Sequence, residues 1–173
     1  MTADQAKFLA EFFANTLENE SKTTAKVIAA VPDSGRNYRP DEKSRTAWEL
    51  ATHLALADVW FLDSIINGKF DFDAEAEAQA SAKFKNVGEV ADYYNREFPA
   101  RVAQVRALPA DKLTRIVDFF GMMQAPAAGF LSVANNHCIH HRGQLSSYLR
   151  AMGGKVPSIY GPTAEDPMPG TPS

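Results

Sequence analysis

Apolar side chains recur at three- and four-residue steps along most of this chain, and no stretch carries a convincing strand-like alternation. The first such run covers roughly residues 3–31. There Phe8, Phe12, Thr16, Glu20, Val27 and Val31 fall near one stripe, with Phe13, Leu17 and Ile28 beside it. Pro32-Asp33-Ser34-Gly35 ends it with turn chemistry. A second helix is predicted over about 46–67, where Leu50, His53, Ala57, Trp60 and Ser64 share a face, so His53 points inward. Thr46 and Glu49 have the spacing of a capping box, and Asn67-Gly68 supplies the stop. A third helix, about 86–107, turns Val90, Tyr94, Phe98, Val102 and Val105 to the core. Pro99 inside it predicts a kink or a break. The fourth begins near Pro126 and runs to Met152, where Gly153-Gly154 caps it.

Between these helices the pattern weakens. Residues 69–85 are acidic and aperiodic and read as a surface connection, and 108–124 as an ordered loop. From Lys155 onward lie five of the ten prolines, so the last dozen residues read as extended or disordered. The expected organisation is an all-α four-helix bundle over residues 1–162 followed by a Pro-rich tail, 163–173.

Composition narrows the function. The 173 residues carry 18 Lys+Arg against 21 Asp+Glu, a net charge of −3, with the basic residues scattered. Nucleic-acid binding is not expected of such a surface. No apolar run reaches the roughly 20 residues that cross a bilayer, so no membrane partner is expected. Met1-Thr2-Ala3-Asp4-Gln5 has no secretion-signal character, and the single cysteine, Cys138, has no partner for an internal disulfide. Both point to a reducing, cytoplasmic location.

The chemistry concentrates in Asn136-His137-Cys138-Ile139-His140-His141-Arg142-Gly143. On a helix His137 and His141 project from one face and can close on one ion, whereas His140 is turned about a hundred degrees away. His53 is the one histidine left to complete a set of three. Three neutral imidazoles leave coordination positions open for water or substrate, and Zn, Ni, Fe or Mn all suit them. The competing reading is three hydrogen-bonded core histidines. His140 reads as a surface or outer residue, Cys138 as a buried filler, Glu49 as a cap, and Asp58 and Asp63 as solvated. Trp48, Trp60, Tyr94 and Tyr148 read as core or pocket wall. Arg142 and Gln144 can orient a ligand carboxylate or cap carbonyls, and Gly143 suggests close approach of another backbone.

The segment His137-Cys138-Ile139-His140-His141-Arg142-Gly143-Gln144-Leu145, with Tyr148-Leu149-Arg150, Gly153-Gly154, Val156-Pro157 and Ile159-Tyr160-Gly161, resembles the C-terminal signature of the DinB-like family. Trp48-Glu49-Leu50-Ala51-Thr52-His53-Leu54 resembles its first ligand segment. The family shares its fold with the YfiT-type metal-dependent hydrolases. The resemblance, over roughly residues 5–162, implies an up-down-down-up bundle, a divalent metal held by His53, His137 and His141, and a homodimer. It assigns no single activity. Some relatives are thiol-dependent transferases or a maleylpyruvate isomerase, which implies a low-molecular-weight thiol as a partner. The favoured expectation is therefore a metal-dependent thiol S-transferase or hydrolase acting on a small molecule, with Arg142 and Tyr148 as substrate contacts. The alternative is a non-enzymatic, stress-associated protein in which the metal is structural.

Overall fold

The computed structural model describes residues 1–167, and the fold is mostly helical. Four long helices form where the apolar periodicity is strong: α1 (Ala3–Ala29), α2 (Ala47–Asn67), α4 (Val87–Ala107) and α6 (Phe130–Tyr148). Two short ones, α3 (Ala74–Ser81) and α5 (Ala110–Thr114), lie between them with a hairpin, β1 (Ile116–Phe119) and β2 (Met123–Pro126). Both α1 and α2 pack against α4 and α6. Their shared core holds Leu17, Ile28, Leu50, Leu54, Leu62, Tyr94, Phe98, Phe130 and Leu145, each almost completely buried.

Local chemistry sets the helix ends. Thr46 accepts from the Glu49 backbone N–H while Glu49 accepts from that of Thr46, the reciprocal box read in the sequence. Thr2 and Gln5 make the same arrangement at α1, a start not read there. Gly68 closes α2 in the left-handed region (φ 71°), and Arg115 donates to the carbonyls of Ile65 and Ile66 over the same end. A Cβ on Gly68 would fall 1.8 Å from the Arg115 guanidinium carbon, so a side chain there would displace that guanidinium as well as strain a left-handed backbone.

The structure departs from the sequence reading at several segments. The 69–85 connection contains α3, which buries none of its residues and so leaves no apolar stripe to detect. It is held by composition and by Asp73, whose carboxylate caps the N–H groups of Glu75 and Ala76. The 108–124 loop contains α5 and most of the hairpin. Four-residue strands are too short for alternation to register, and the register Val117↔Ala125 is fixed by a tight turn with positive φ at Phe120 and Gly121. Pro126 closes β2 rather than opening the last helix, which starts at Phe130 after a 3₁₀ turn. Pro99 does not break α4.

After α6, a 3₁₀ turn at Arg150–Met152 ends in left-handed Gly153, close to the predicted stop. Residues 163–166 fold back: Thr163 donates to the Val156 carbonyl and Arg150 grips Glu165 with two bonds of 2.9 Å. The remainder of the expected tail, 168–173, lies outside the described residues. No helix among those described is long and apolar enough to cross a membrane.

Candidate metal centre

His53 lies on α2, and His137 and His141 lie one turn apart on α6. Where these helices pack, the three rings meet with centroids 5.3, 4.8 and 4.4 Å apart. One nitrogen from each ring lies within 4.8 Å of the other two. The Nε2 atoms of His53 and His137 stand 3.3 Å apart. Two nitrogens bound to one tetrahedral ion at about 2.05 Å would be separated by about 3.3 Å.

The outer nitrogens are all engaged. His53 Nδ1 lies 3.1 Å from Glu77 Oε1, His137 Nδ1 3.0 Å from Asp58 Oδ1, and His141 Nδ1 2.8 Å from Gln144 Oε1. Acceptors at Nδ1 hold the ring proton there and leave the Nε2 lone pairs facing inward. Two such lone pairs facing each other at 3.3 Å repel, and a cation between them relieves the repulsion. Burial, with the neighbouring imidazole of His137, pushes His141 down to about 4. Burial also lowers His53, against the opposing hydrogen bond that its ring donates to Glu77. Both rings are therefore neutral near pH 7, the form a metal needs. The donor set fits a divalent ion held by His53, His137 and His141.

The cluster opens into a pocket of about 520 Å³ whose remaining wall is largely apolar: Leu56, Ala57, Trp60, Phe61, Phe72 and Ala76. Asp71, Asp73 and Glu77 also line it. Phe120, from the hairpin turn, stacks parallel to Trp60 with centroids 6.4 Å apart.

The other chemistry-bearing residues sort cleanly. His140 is exposed, its ring 4.9 Å from that of His141. Asp63 pairs with Arg101. Asp58 corrects the sequence reading, being only 1% exposed. Its position was legible, since Leu54, Phe61 and Leu62, at spacings of four, three and four, all belong to the buried stripe. Glu77 had no such signal, because it comes from α3. Arg142 and Tyr148, read as substrate contacts, do not line the pocket. Arg142 is 1% exposed and bonds Glu20, Thr24 and Tyr160, while the Tyr148 ring packs edge-on against Tyr38. Gly143 has open space rather than a neighbouring backbone within 4 Å of where its Cβ would be.

Behind His137 a line of polar contacts crosses the core. Asp58 accepts from the Tyr94 hydroxyl at 3.1 Å, and that hydroxyl lies 3.8 Å from Cys138 Sγ. Cys138 Sγ is 3.1 Å from Thr24 Oγ1, which accepts from Arg142, itself paired with Glu20. Burial, reinforced by the Asp58 carboxylate, pushes the Cys138 thiol well up, so it stays protonated and is no nucleophile.

Comparisons with known proteins bear on the family and the fold. The DinB family profile matches residues 4–171. The uncharacterized protein YrdA of Bacillus subtilis (strain 168) is 29% identical over 157 residues, covering 90% of each chain. A crystal structure of a DinB-like protein from Bacillus cereus ATCC 10987 superposes with a TM-score of 0.71 at 26% identity, covering 87% of this chain and 97% of that one. The DinB-like protein YjoA of Bacillus subtilis gives 0.65 at 24% identity, over 83% and 92%, a likeness of fold alone. With a match spanning nearly its whole length, this chain belongs to the DinB family.

Proposed function

We propose that the protein is a metal-dependent enzyme that joins a low-molecular-weight thiol to a small electrophile, working in a reducing cytoplasm. The observation that carries this reading is the inward set of imidazole nitrogens, each braced at Nδ1, at the side of an apolar pocket. A bound divalent ion, Zn, Ni, Fe or Mn, would supply Lewis acidity that makes a thiol or water ionise near neutral pH. The chain does the rest. His53, His137 and His141 hold the ion, Asp58 and Glu77 orient two of those rings, and Leu56, Trp60, Phe61 and Phe72 exclude water from the electrophile. In the transfer the thiol releases its proton to solvent, sulfur bonds to the electrophilic carbon, and the displaced group leaves with its electron pair, to be protonated by water where it is basic. Water in place of the thiol gives hydrolysis. In this reading the long helices run up-down-down-up. The chain forms a homodimer through the outward face of α1, where Phe8 and Phe12 are 69% and 53% exposed and stack on each other.

One observation favours a structural ion instead: the ligands come from two helices, so an ion would clamp α2 to α6. Metal content and a thiol-transfer assay separate the readings. About one ion per chain, and thiol-dependent consumption of a model electrophile lost in His141→Ala, supports the enzyme. Stoichiometric metal, a large fall in Tm on chelation and no turnover across several thiols would support the clamp.

A further inference from the structure

On the other side of His53 and Glu77 lies a second cleft, of about 480 Å³, also walled by Arg39, Lys43, Arg45, Glu49, Thr52 and Ser81. The two clefts share His53, Leu56 and Glu77, so both end at the histidine cluster, yet they differ in character. The first is apolar with carboxylates about it, and the second carries three cations.

The arginines outside this groove are engaged: Arg36 donates to the Lys85 carbonyl and Arg115 to those of Ile65 and Ile66. Arg96, Arg101, Arg106, Arg142 and Arg150 all reach a carboxylate. Among the described residues Arg39, Lys43 and Arg45 form no ion pair, and all three are exposed. The two acids in the same wall are already engaged: Glu49 accepts from the backbone and hydroxyl of Thr46, and Glu77 meets His53. The loop bearing the cations is ordered. Asp41 accepts from Lys43 N at 2.8 Å and from Ser44 N and Oγ, while Ala47 N donates to Tyr38 O and Trp48 N to Arg36 O, each at 2.8 Å. Three unpaired cations on a stapled loop, in a chain of net charge −3, concentrate positive potential in one groove.

We propose that this groove is a carboxylate-binding subsite that takes the anionic end of a second small molecule, whose reactive end lies at His53. The proposal rests on the metal-centre reading for the reactive end, but the anion subsite can be tested alone. Because the two clefts meet at one histidine, an anionic reactant from the groove and an apolar one from the pocket approach the same point from opposite sides. Opposite charge around the two clefts sorts the reactants before chemistry begins.

The test is calorimetric titration of the full-length protein, as purified and after chelation, with succinate, with its neutral diamide succinamide, and with inorganic phosphate. Succinate should bind with or without metal and weaken as salt rises, and Arg39→Ala/Lys43→Ala/Arg45→Ala should weaken it about tenfold or more. Succinamide should not bind. These surface substitutions should leave the circular dichroism and metal content unchanged. Succinate affinity equal in the triple variant, or no binding to the wild type, would overturn the subsite, as would phosphate binding far tighter than succinate. In the metal-loaded protein, turnover with mercaptosuccinate should fall in the triple variant while turnover with 2-mercaptoethanol does not. Thiol turnover with unaltered succinate binding would sink the groove and leave the enzyme reading standing. Groove-dependent succinate binding without turnover on any thiol would do the reverse.

Discussion

The carboxylate of Asp58, buried in the core, lies 3.0 Å from Nδ1 of His137 and fixes which face of that ring looks into the cluster. The same carboxylate accepts from Tyr94, so the ring is oriented by a group that is itself held. Asp58→Asn keeps the shape but removes the charge and permits the wrong tautomer. Metal affinity, measured by competition with a chromophoric chelator, should fall by about 10- to 100-fold with little change in helicity. Wild-type affinity in the variant would show that Asp58 does not support the centre.

Acid should destabilise the metal-free protein in a defined window. His141 is lowered to about 4 in the folded chain, from an ordinary value of 6.5, by burial and the neighbouring His137. The unfolded chain thus takes up the proton first as pH falls, and its contribution to stability, full above 6.5, is lost progressively down to about 4. Denaturant midpoints of chelated protein should drop across that range, and His141→Gln should flatten the drop. Metal should suppress it, since an ion and a proton compete for the same lone pair.

Phe120 holds a positive φ of 54° while its ring stacks on Trp60 at the pocket. Phe120→Gly removes a backbone penalty of about 1–2 kcal/mol and an aromatic contact of about 0.5–1.5 kcal/mol. Stability should therefore change by no more than about 1.5 kcal/mol. Binding of an aromatic electrophile, followed by Trp60 fluorescence, should weaken all the same. A large loss of stability with unchanged binding would mean that the ring serves the hairpin alone.

Gly143 sits within α6 with open space where a side chain would be. Gly143→Ala should raise stability by about 0.5–1 kcal/mol, read as a higher denaturant midpoint at constant m-value. Destabilisation would indicate a neighbour at this face in the assembled protein.

Sedimentation velocity of Phe8→Ser/Phe12→Ser tests the proposed dimer. The substitutions should turn a dimer into monomers without lowering helicity, because both rings are more than half exposed in the single chain. A dimer that persists would place the interface elsewhere.

How far the sequence reaches depends on what each element buries. The four long helices and the convergence of His53, His137 and His141 follow from apolar stripes, because a residue's angle on a helix is set by its index. Asp58 was legible by the same rule, but the expectation that a carboxylate is solvated outweighed its position on the stripe. Arg142 went astray for the converse reason: its place beside His141 suggested the site, while its angle points it at Glu20 on α1. Glu77 and the hairpin could not be read this way. One lies on a helix without a buried face, and the other is too short for its period to emerge.

The contacts from His137 through Asp58, Tyr94, Cys138, Thr24 and Arg142 to Glu20 link all four long helices. Leucine and alanine surfaces tolerate small rotations of one rod against another, since dispersion has no direction. Hydrogen bonds do not, and a rotation of α6 by one residue would swing Cys138 and Arg142 away from Thr24 and Glu20 together. The bundle is in effect keyed, like a shaft that enters its lock at a single angle. The aim of three imidazoles at one point is thereby set by partners on the far side of the core.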